Sequence, residues 1–189
     1  MIGEGGRRLS QVHLNVLMET STVAIRAATE ADLAAINDIY NHYVLHSTCT
    51  YQEKPESMES RRQWFAHHRR EHPVTVAESG GGVLGWGSLS AYHPRSAYRR
   101  TVDNSVYVHH QHHRRGIGSL LLGNLIERAR NLGHHCIIAG IDAEQDGSVS
   151  LHARFGFEHV GWLKQVGFKF GRWLDVIYME LMVEEFSQS

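Results

Sequence analysis

The residues best suited to bind a ligand form a glycine-containing turn, His112-His113-Arg114-Arg115-Gly116-Ile117-Gly118-Ser119, between a strand-like segment and a helix-like one. The start of a helix presents unpaired N–H groups and a partial positive charge, so anions bind there. The two glycines let the backbone approach an anion closely, and the two arginines add charged donors. The turn therefore suits a pyrophosphate, although an ordinary helix start with solvated arginines would have the same composition.

Two common nucleotide-binding motifs do not fit this turn. A P-loop needs Gly-Lys-Ser/Thr after a four-residue gap, and that sequence is missing. A dinucleotide-binding fingerprint needs a third glycine three residues after Gly118, where Leu121 stands. Coenzyme A is the pyrophosphate ligand that remains.

Four helices and seven strands are predicted around the turn, which indicates a mixed α/β (α+β) domain. Helical spacing and capping residues predict helices over 29–44, 57–68, 116–132 and 148–155, with a capping box at Thr29 and Asp32, a cap at Ser57 and a stop at Pro73. Alternating or continuous apolar runs predict strands over 23–26, 74–78, 83–90, 101–108, 136–141, 158–166 and 173–182. The glycine turn thus joins the strand 101–108 to the helix 116–132.

Composition excludes several classes of partner. The 189 residues suit one domain, and a net charge of -1 gives no global field that would attract nucleic acid or a membrane surface. Two cysteines are too few for a disulfide framework, which fits a reducing, cytoplasmic location. We expect a flexible N-terminal extension over 1–22, the folded domain over 23–183 and a C-terminal tail over 184–189.

Fifteen histidines raise the question of a metal site. The adjacent pairs His109-His110 and His112-His113 point in different directions on a strand or loop, and no cysteine or carboxylate spacing supports a closed site. We therefore expect no bound metal.

Several longer motifs match one enzyme family. They include Thr101-Val102-Asp103, Gly116-Ile117-Gly118, Ser150-Leu151-His152, Phe155-Gly156-Phe157, Arg95-Ser96-Ala97-Tyr98 and Lys169-Phe170-Gly171-Arg172-Trp173-Leu174-Asp175. Through these motifs, residues 23 to about 183 resemble the GNAT superfamily of N-acetyltransferases, and within it the phosphinothricin and methionine sulfoximine acetyltransferases.

The resemblance implies the GNAT fold, a mixed twisted sheet of about seven strands that splays between strands 4 and 5 and is flanked by about four helices. Acetyl-CoA is then expected in the opening. The implied cofactor-binding residues are Val106, Tyr107 and Val108 on the strand, His113, Arg114, Arg115, Gly116, Ile117, Gly118 and Ser119 at the turn, and Gln145 and Ser148 further along. The chain departs from the family pattern at His113, where Gln or Arg is usual, and at Gln145, where relatives often have Asn.

The implied reaction is direct transfer of acetyl from acetyl-CoA to the primary amine of an amino-acid-like substrate of the phosphinothricin, methionine sulfoximine or methionine sulfone type. A protonated amine cannot attack a thioester, so a base is needed. Asp103 occupies the position of the family's glutamate base and is the first candidate. His152 is the second, because an unperturbed histidine pKa of about 6.5 suits proton transfer.

For the acceptor, the resemblance places Arg95 where relatives hold the substrate's anionic groups, and arginine recognises carboxylate or phosphinate well. Tyr51, Tyr92, His93 and Lys169 are further candidates for substrate binding, with Arg172 at the border of the pocket. Because relatives are homodimers, a homodimer is also expected.

Two alternatives stay open. A non-catalytic acyl-CoA sensor would keep the cofactor site while losing chemistry, and Asp103 in place of glutamate is its only support. An acetyltransferase could also act on a protein N-terminus, a polyamine or an aminoglycoside. The last two are cations, and Arg95 and His93 argue against them.

Overall fold

Seven strands form one mixed sheet in the computed structural model, which describes residues 22–68 and 70–183. The strands are β1 Ala24–Ala27, β2 Val74–Ser79, β3 Gly82–Ala91, β4 Thr101–Val108, β5 Cys136–Asp142, β6 Glu158–Lys169 and β7 Arg172–Met182. Their order across the sheet is β1-β2-β3-β4-β5-β7-β6. The predicted seven-stranded mixed sheet is confirmed. The predicted N-terminal extension and C-terminal tail lie outside the described residues, apart from residue 22.

Among the described strands, β4 and β5 are the only parallel neighbours, and the sheet opens between them. Thr101 pairs with Cys136, Val102 with Ile137 and Asp103 with Ile138, and there the pairing stops. Both strands continue beyond that point, β4 to Val108 and β5 to Asp142. The predicted splay between strands 4 and 5 is therefore confirmed, and Asp103 marks the place where it begins.

Four α-helices cover the two faces of the sheet: α1 Leu33–His46, α2 Met58–His67, α3 Ile117–Asn131 and α4 Asp146–Arg154. On one face, Leu33 and Ile36 of α1 join Val76 and Trp86 of the sheet in a buried cluster. On the other face, the apolar stripe of α3 packs against the sheet through Leu122, Leu125 and Ala129, which contact a core that includes Leu89, Val102 and Ile137. Among the described residues, no helix combines the length and the hydrophobicity that crossing a bilayer requires.

Helix α2 ends at His67, one residue before its predicted last residue and well before the predicted stop at Pro73. His68 leaves the helix in an extended conformation, and its ring Nδ1 lies 2.8 Å from the carbonyl oxygen of Trp64. The imidazole thus satisfies a carbonyl of the last helical turn, so the helix needs no proline to stop it.

A buried carboxylate fixes the start of α1. Asp32 accepts hydrogen bonds from the backbone N–H of Thr29 at 2.7 Å and from the guanidinium of Arg26 at 2.7 and 2.8 Å, which confirms the predicted capping box. Arg26 also donates to Glu78 on β2 at 2.7 Å. The Arg26 guanidinium and the Thr29 donors outweigh burial and lower the pKa of Asp32 to about 2. This network ties α1, which borders the functional site, to the edge of the sheet.

Replacing Asp32 with alanine should lower the free energy of unfolding by about 1–3 kcal/mol, because the half-exposed Arg26 guanidinium loses one of its two carboxylate partners and the helix-start N–H of Thr29 loses its acceptor. Urea unfolding followed by circular dichroism measures the change. The Asp32 contribution should be fully present above the ordinary pKa of 3.8 and disappear as the pH falls through about 2. Asp38→Ala, at an exposed position of the same helix, is the control, and an equal loss in both variants at neutral pH would contradict the assignment.

Candidate active site

A cavity of about 490 Å³ occupies the opening between β4 and β5, and we call it the splay cavity. Its lining contains nearly all the residues predicted to bind the cofactor: Val106, Tyr107, Val108, His113, Arg114, Gly116, Ile117, Gly118, Ser119, Gln145 and Ser148. Arg115 is exposed and does not line it. Strand, glycine turn and the start of α4 therefore meet around one space.

The glycine turn has the backbone of an anion site. Arg114 has φ 59° and Gly116 has φ 78°, both left-handed, and α3 begins immediately afterwards at Ile117. Turns of this kind bring successive N–H groups toward one point. A methyl group added at Gly116 would meet no atom within 4 Å, so its backbone conformation, rather than lack of space, favours glycine. The buried Ile117 side chain holds the turn against the core.

Tyr43 of α1 closes the splay cavity near the end of β4. Its hydroxyl donates to the carbonyl oxygen of Val108, and its ring stacks on that of His113 with centroids 6.1 Å apart. Burial raises the pKa of this hydroxyl, so it stays protonated and remains a donor. Sequence reasoning missed Tyr43, because its position on the apolar face of α1 indicated only a core residue.

His152 lies on the α4 side of the same cavity with both ring nitrogens engaged. Nδ1 lies 2.8 Å from the carbonyl oxygen of Ser148, which can only accept, so Nδ1 carries the proton. Nε2 therefore accepts from the Asn104 side-chain amide, 2.9 Å away. Burial lowers the pKa of His152 and outweighs the opposing bond to Ser148, which favours a neutral ring. The pair links α4 to β4.

Asp103 lies on the opposite face of β4 from Asn104, because side chains alternate along a strand. Asp103, Ser105 and Tyr107 share the face covered by α1 and α2, where the Tyr107 ring stacks on Trp86 with centroids 4.8 Å apart. Burial raises the pKa of Asp103 to about 6. The carboxylate is therefore protonated below that pH and able to accept a proton above it.

A second cavity of about 260 Å³ lies on the Asp103 face, and we call it the aromatic cavity. Its floor is formed by β3 and β4 through Ser88, Ser90 and Ser105. Ser90 stands directly opposite Asp103 in the strand register. The remaining lining consists of Tyr40, Glu56, Ser60, Arg61, Trp64, Trp86 and Tyr107. Ser105 and Tyr107 border both cavities, so β4 is the wall between them.

Four buried side-chain atoms of the described part of the chain have no hydrogen-bond partner there, and each belongs to a residue that lines one of the two cavities. Asn104 Oδ1 and His112 Nδ1 are at the splay cavity, and Arg61 Nη2 and Trp86 Nε1 are at the aromatic cavity. An unsatisfied buried polar atom is costly in a folded protein, and a ligand can supply the missing partner. Asn104 Oδ1 suits an amide N–H such as those of the pantetheine arm of coenzyme A.

Two residues predicted to bind substrate hold the loop 47–51 instead of lining either cavity. The buried Lys169 donates through Nζ to the carbonyl oxygens of Ser47 at 2.8 Å and Thr50 at 2.7 Å. The Tyr51 hydroxyl lies 2.9 Å from Asp142 Oδ2 and 3.0 Å from the Asp175 carbonyl oxygen. In this structure both side chains are occupied by contacts within the chain.

The other three predicted substrate residues lie together on the connection between β3 and β4. Tyr92 and Arg95 are exposed and His93 is half-buried, and none of them lines either cavity. Tyr98, which was not singled out, contacts the rings of Tyr92 and His93 with centroids 5.8 and 4.9 Å apart. Arg172 forms an ion pair with Glu144. Within residues 22–68 and 70–183, no group of three or more His, Cys, Asp or Glu side chains is placed to hold a metal ion.

Comparison with known proteins gives consistent matches. The model of the acetyltransferase (GNAT) family matches residues 36–157. The L-methionine sulfoximine/L-methionine sulfone acetyltransferase of Salmonella typhimurium is 40% identical over 164 residues, which are 86% of this chain and 96% of that protein. The phosphinothricin N-acetyltransferase of Streptomyces coelicolor is 40% identical over 166 residues, 85% of this chain and 96% of that protein.

Solved structures of acetyltransferases also match this chain. The crystal structure of a GNAT superfamily phosphinothricin acetyltransferase from Sinorhizobium meliloti, in complex with acetyl-CoA, matches with a TM-score of 0.84 and 36% identity, covering 89% of this chain and 92% of that one. The structure of an acetyltransferase from Salmonella typhimurium with its cofactor acetyl-CoA matches with a TM-score of 0.83 and 40% identity, covering 87% and 96%.

Gly116→Ala should weaken acetyl-CoA binding by about tenfold, because alanine is disfavoured in the left-handed region by about 1–2 kcal/mol and the turn would relax away from its anion-binding form. Isothermal titration calorimetry with acetyl-CoA measures the effect. Gly81→Ala is a matched control, since Gly81 has φ 80° and no atom within 4 Å of an added methyl group, but lies in the β2–β3 hairpin. Equal affinity in both variants would show that the turn does not bind the cofactor.

Proposed function

Because the chain belongs to the acetyltransferase (GNAT) family, we propose that it transfers the acetyl group of acetyl-CoA to the primary amine of a small amino-acid-like acceptor. The observation that carries the proposal is the position of β4 between two cavities. One cavity joins a glycine turn to the splayed strands. The other is lined by Ser90, the cross-strand partner of Asp103, and Asp103 itself is a carboxylate outside the lining whose pKa burial raises to about 6. The acceptor class follows from the relatives, whose names specify methionine sulfoximine, methionine sulfone and phosphinothricin.

We assign acetyl-CoA to the splay cavity. When bound, it supplies a thioester carbonyl that a neutral amine attacks, giving an amide and the free thiol of coenzyme A. The backbone N–H groups of the turn from Arg114 to Ser119 suit its pyrophosphate, and Asn104 Oδ1 suits an amide of its pantetheine arm. Backbone N–H groups on the β5-facing edge of β4 are donors available to a developing oxyanion.

Asp103 is our choice for the general base. It lies at the start of the splay, on the face that carries the aromatic cavity, and at neutral pH it is mostly ionised despite its burial. An ammonium group beside it loses a proton to the carboxylate, directly or through water, and becomes a nucleophile. His152 is the weaker candidate, since Ser148 and Asn104 occupy its two ring nitrogens. We give His152 a positioning role, holding Asn104.

Arg95 was predicted to hold the acceptor's anionic groups, and we now propose that it binds the α-carboxylate, with Tyr92 and His93 as neighbours on the same connection. All three are accessible, and Arg95 makes no ion pair with another described residue, so its guanidinium is available for bidentate contact. We also propose a cytoplasmic location, which the two free cysteines favour.

We propose further that the protein is a homodimer formed through the β6–β7 hairpin. This hairpin is at the edge of the sheet and exposes a set of large apolar side chains: Val160, Trp162, Leu163, Val166, Phe168, Phe170, Trp173 and Met182. Trp173 is 61% exposed, and its ring contacts that of Phe168 with centroids 5.1 Å apart. An apolar sheet edge of this kind favours association, and a second copy of the chain is the partner that family membership suggests.

Asp103→Asn should lower turnover by more than about tenfold and leave the affinity for acetyl-CoA unchanged, because only the proton acceptor is removed. In the wild type, kcat/KM should rise with pH through about 6 as Asp103 loses its proton. Release of free thiol from acetyl-CoA, with L-methionine sulfoximine, L-phosphinothricin or spermidine as acceptor, measures turnover. Asp38→Asn is the control.

A stability measurement separates this effect from misfolding. The folded-state pKa of Asp103 is raised, so its ionisation destabilises the fold as pH rises from 3.8 through about 6. The asparagine variant should therefore melt at a temperature equal to or above that of the wild type at pH 8. Normal turnover in Asp103→Asn would eliminate Asp103 as the base. Acetyl-CoA binding without turnover of any amine would favour the sensor alternative.

Trp173→Glu should convert the proposed dimer into single chains, since a charge in an apolar contact weakens association by at least about tenfold. Sedimentation equilibrium at micromolar concentration measures the mass. Leu120→Glu, at an exposed apolar position on α3, is the control and should keep the dimer mass. A wild type that sediments as one chain would refute the proposed interface.

A further inference from the structure

The aromatic cavity is lined by a buried cation, Arg61, that forms no ion pair with another described residue. Arg61 is 3% exposed. Its Nε donates to Asn37 Oδ1 at 3.1 Å, which fixes one edge of the guanidinium. Removing such a charge from water is expensive unless an anion or several acceptors receive it.

Aromatic rings fix the orientation of Arg61. Its guanidinium carbon lies 4.7 Å from the ring centroid of Tyr40, 4.6 Å from that of Trp64 and 5.8 Å from that of Trp86. The rings contact the flat faces of the guanidinium, but they cannot accept hydrogen bonds from its N–H groups, which point outward in its plane. Nη2 therefore keeps unsatisfied donors at a cavity-lining residue.

A second buried donor at the same cavity also lacks a hydrogen-bond acceptor. Trp86 Nε1 is buried and finds no acceptor among the described residues. The carboxylate of Glu56, which also lines the cavity, accepts from the hydroxyl of Ser60 and the amide of Gln52 and forms no hydrogen bond to Arg61 or Trp86. Two unsatisfied donors around one space call for a ligand that accepts through several lone pairs, and an oxyanion has them.

The strand register places the backbone of Trp86 away from Asp103. Ser90 is opposite Asp103, and Trp86, beside Arg61, is four residues along β3, about 14 Å at a rise of about 3.4 Å per residue. In an α-amino acid the carboxylate shares its carbon with the amine. When the amine is at Asp103, the α-carboxylate therefore stays near Asp103. A group at the end of the side chain extends further along β3 toward Arg61 and Trp86.

We infer that the aromatic cavity binds the side-chain end of the acceptor and that Arg61 donates to an oxyanion or polar oxygen there, while Arg95 serves the α-carboxylate. The inference rests on the proposed function and adds a specificity-determining residue to it. Phosphinothricin, whose side chain ends in an anionic phosphinate, depends on Arg61 more than methionine sulfone, whose side-chain oxygens are neutral. The order follows from the greater strength of charge-assisted hydrogen bonds.

The test is the KM of each acceptor for the wild type, Arg61→Met and Arg62→Met, at saturating acetyl-CoA. Methionine matches the length of the Arg61 stem and packs against rings. The melting temperature is measured beside KM, because the change removes a buried charge and also the bond from Nε to Asn37. Arg61→Met should raise KM for L-phosphinothricin by at least about tenfold more than for L-methionine sulfone. The KM for acetyl-CoA should stay unchanged. Arg62, exposed on the same helix, is the matched control and should affect neither acceptor.

An equal rise in KM for both acceptors, or a fall in melting temperature with a parallel loss toward acetyl-CoA, would give Arg61 a structural role and overturn the inference. If phosphinothricin is not acetylated, its inhibition constant against methionine sulfone replaces KM, and absence of inhibition also overturns it. A wild type that acetylates neither compound would refute the proposed acceptor class itself, which is a distinguishable failure.

Discussion

The site depends on one backbone constraint, the end of pairing between β4 and β5 after Asp103. Backbone N–H and C=O groups are obligatory hydrogen-bonding groups, so strands that diverge leave an edge which something else must satisfy. Tyr43 reaches from α1 to the carbonyl of Val108 and covers part of that edge. A ligand can cover the remainder. The position of the opening thus follows from where the ladder stops, and α3 and α4 are arranged around it.

The alternation of side chains along β4 divides the work of the site between two faces. Asn104 faces His152 and the splay cavity, whereas its neighbour Asp103 belongs to the face of the aromatic cavity. Side chains on the two faces of one strand are close enough together to act on adjacent atoms of two bound molecules. Asp103 is near the start of β4 and the glycine turn follows its end, so the length of the strand separates the proposed base from the proposed pyrophosphate site. A single substitution on β4 is therefore expected to disturb one substrate more than the other.

Patterns that are local in sequence predict this molecule well. Strand β4 has the bounds that its alternation predicts, and the glycine turn lies at the cavity where helix-start chemistry places it. Contacts between distant segments were not predictable. Arg61 and Arg62 are indistinguishable in the sequence, and only the packing of α2 against Trp86 buries one and exposes the other. Lys169 lies in a motif typical of the family branch, yet folding turns it toward the loop 47–51 rather than toward a cavity.

The placement of Lys169 also bears on how an enzyme of this family avoids modifying itself. A reactive thioester acetylates any accessible neutral amine, whereas guanidinium groups are poor nucleophiles because they stay protonated. The chain has only three lysines, Lys54, Lys164 and Lys169, and arginine supplies the rest of its 19 Lys and Arg residues. Lys169 is buried with two carbonyl acceptors, and Lys164 is held by Asp175 at 2.9 Å. Because lysine is rare in the sequence and Lys169 is buried, few side-chain amines of the protein compete with the acceptor for acetyl groups.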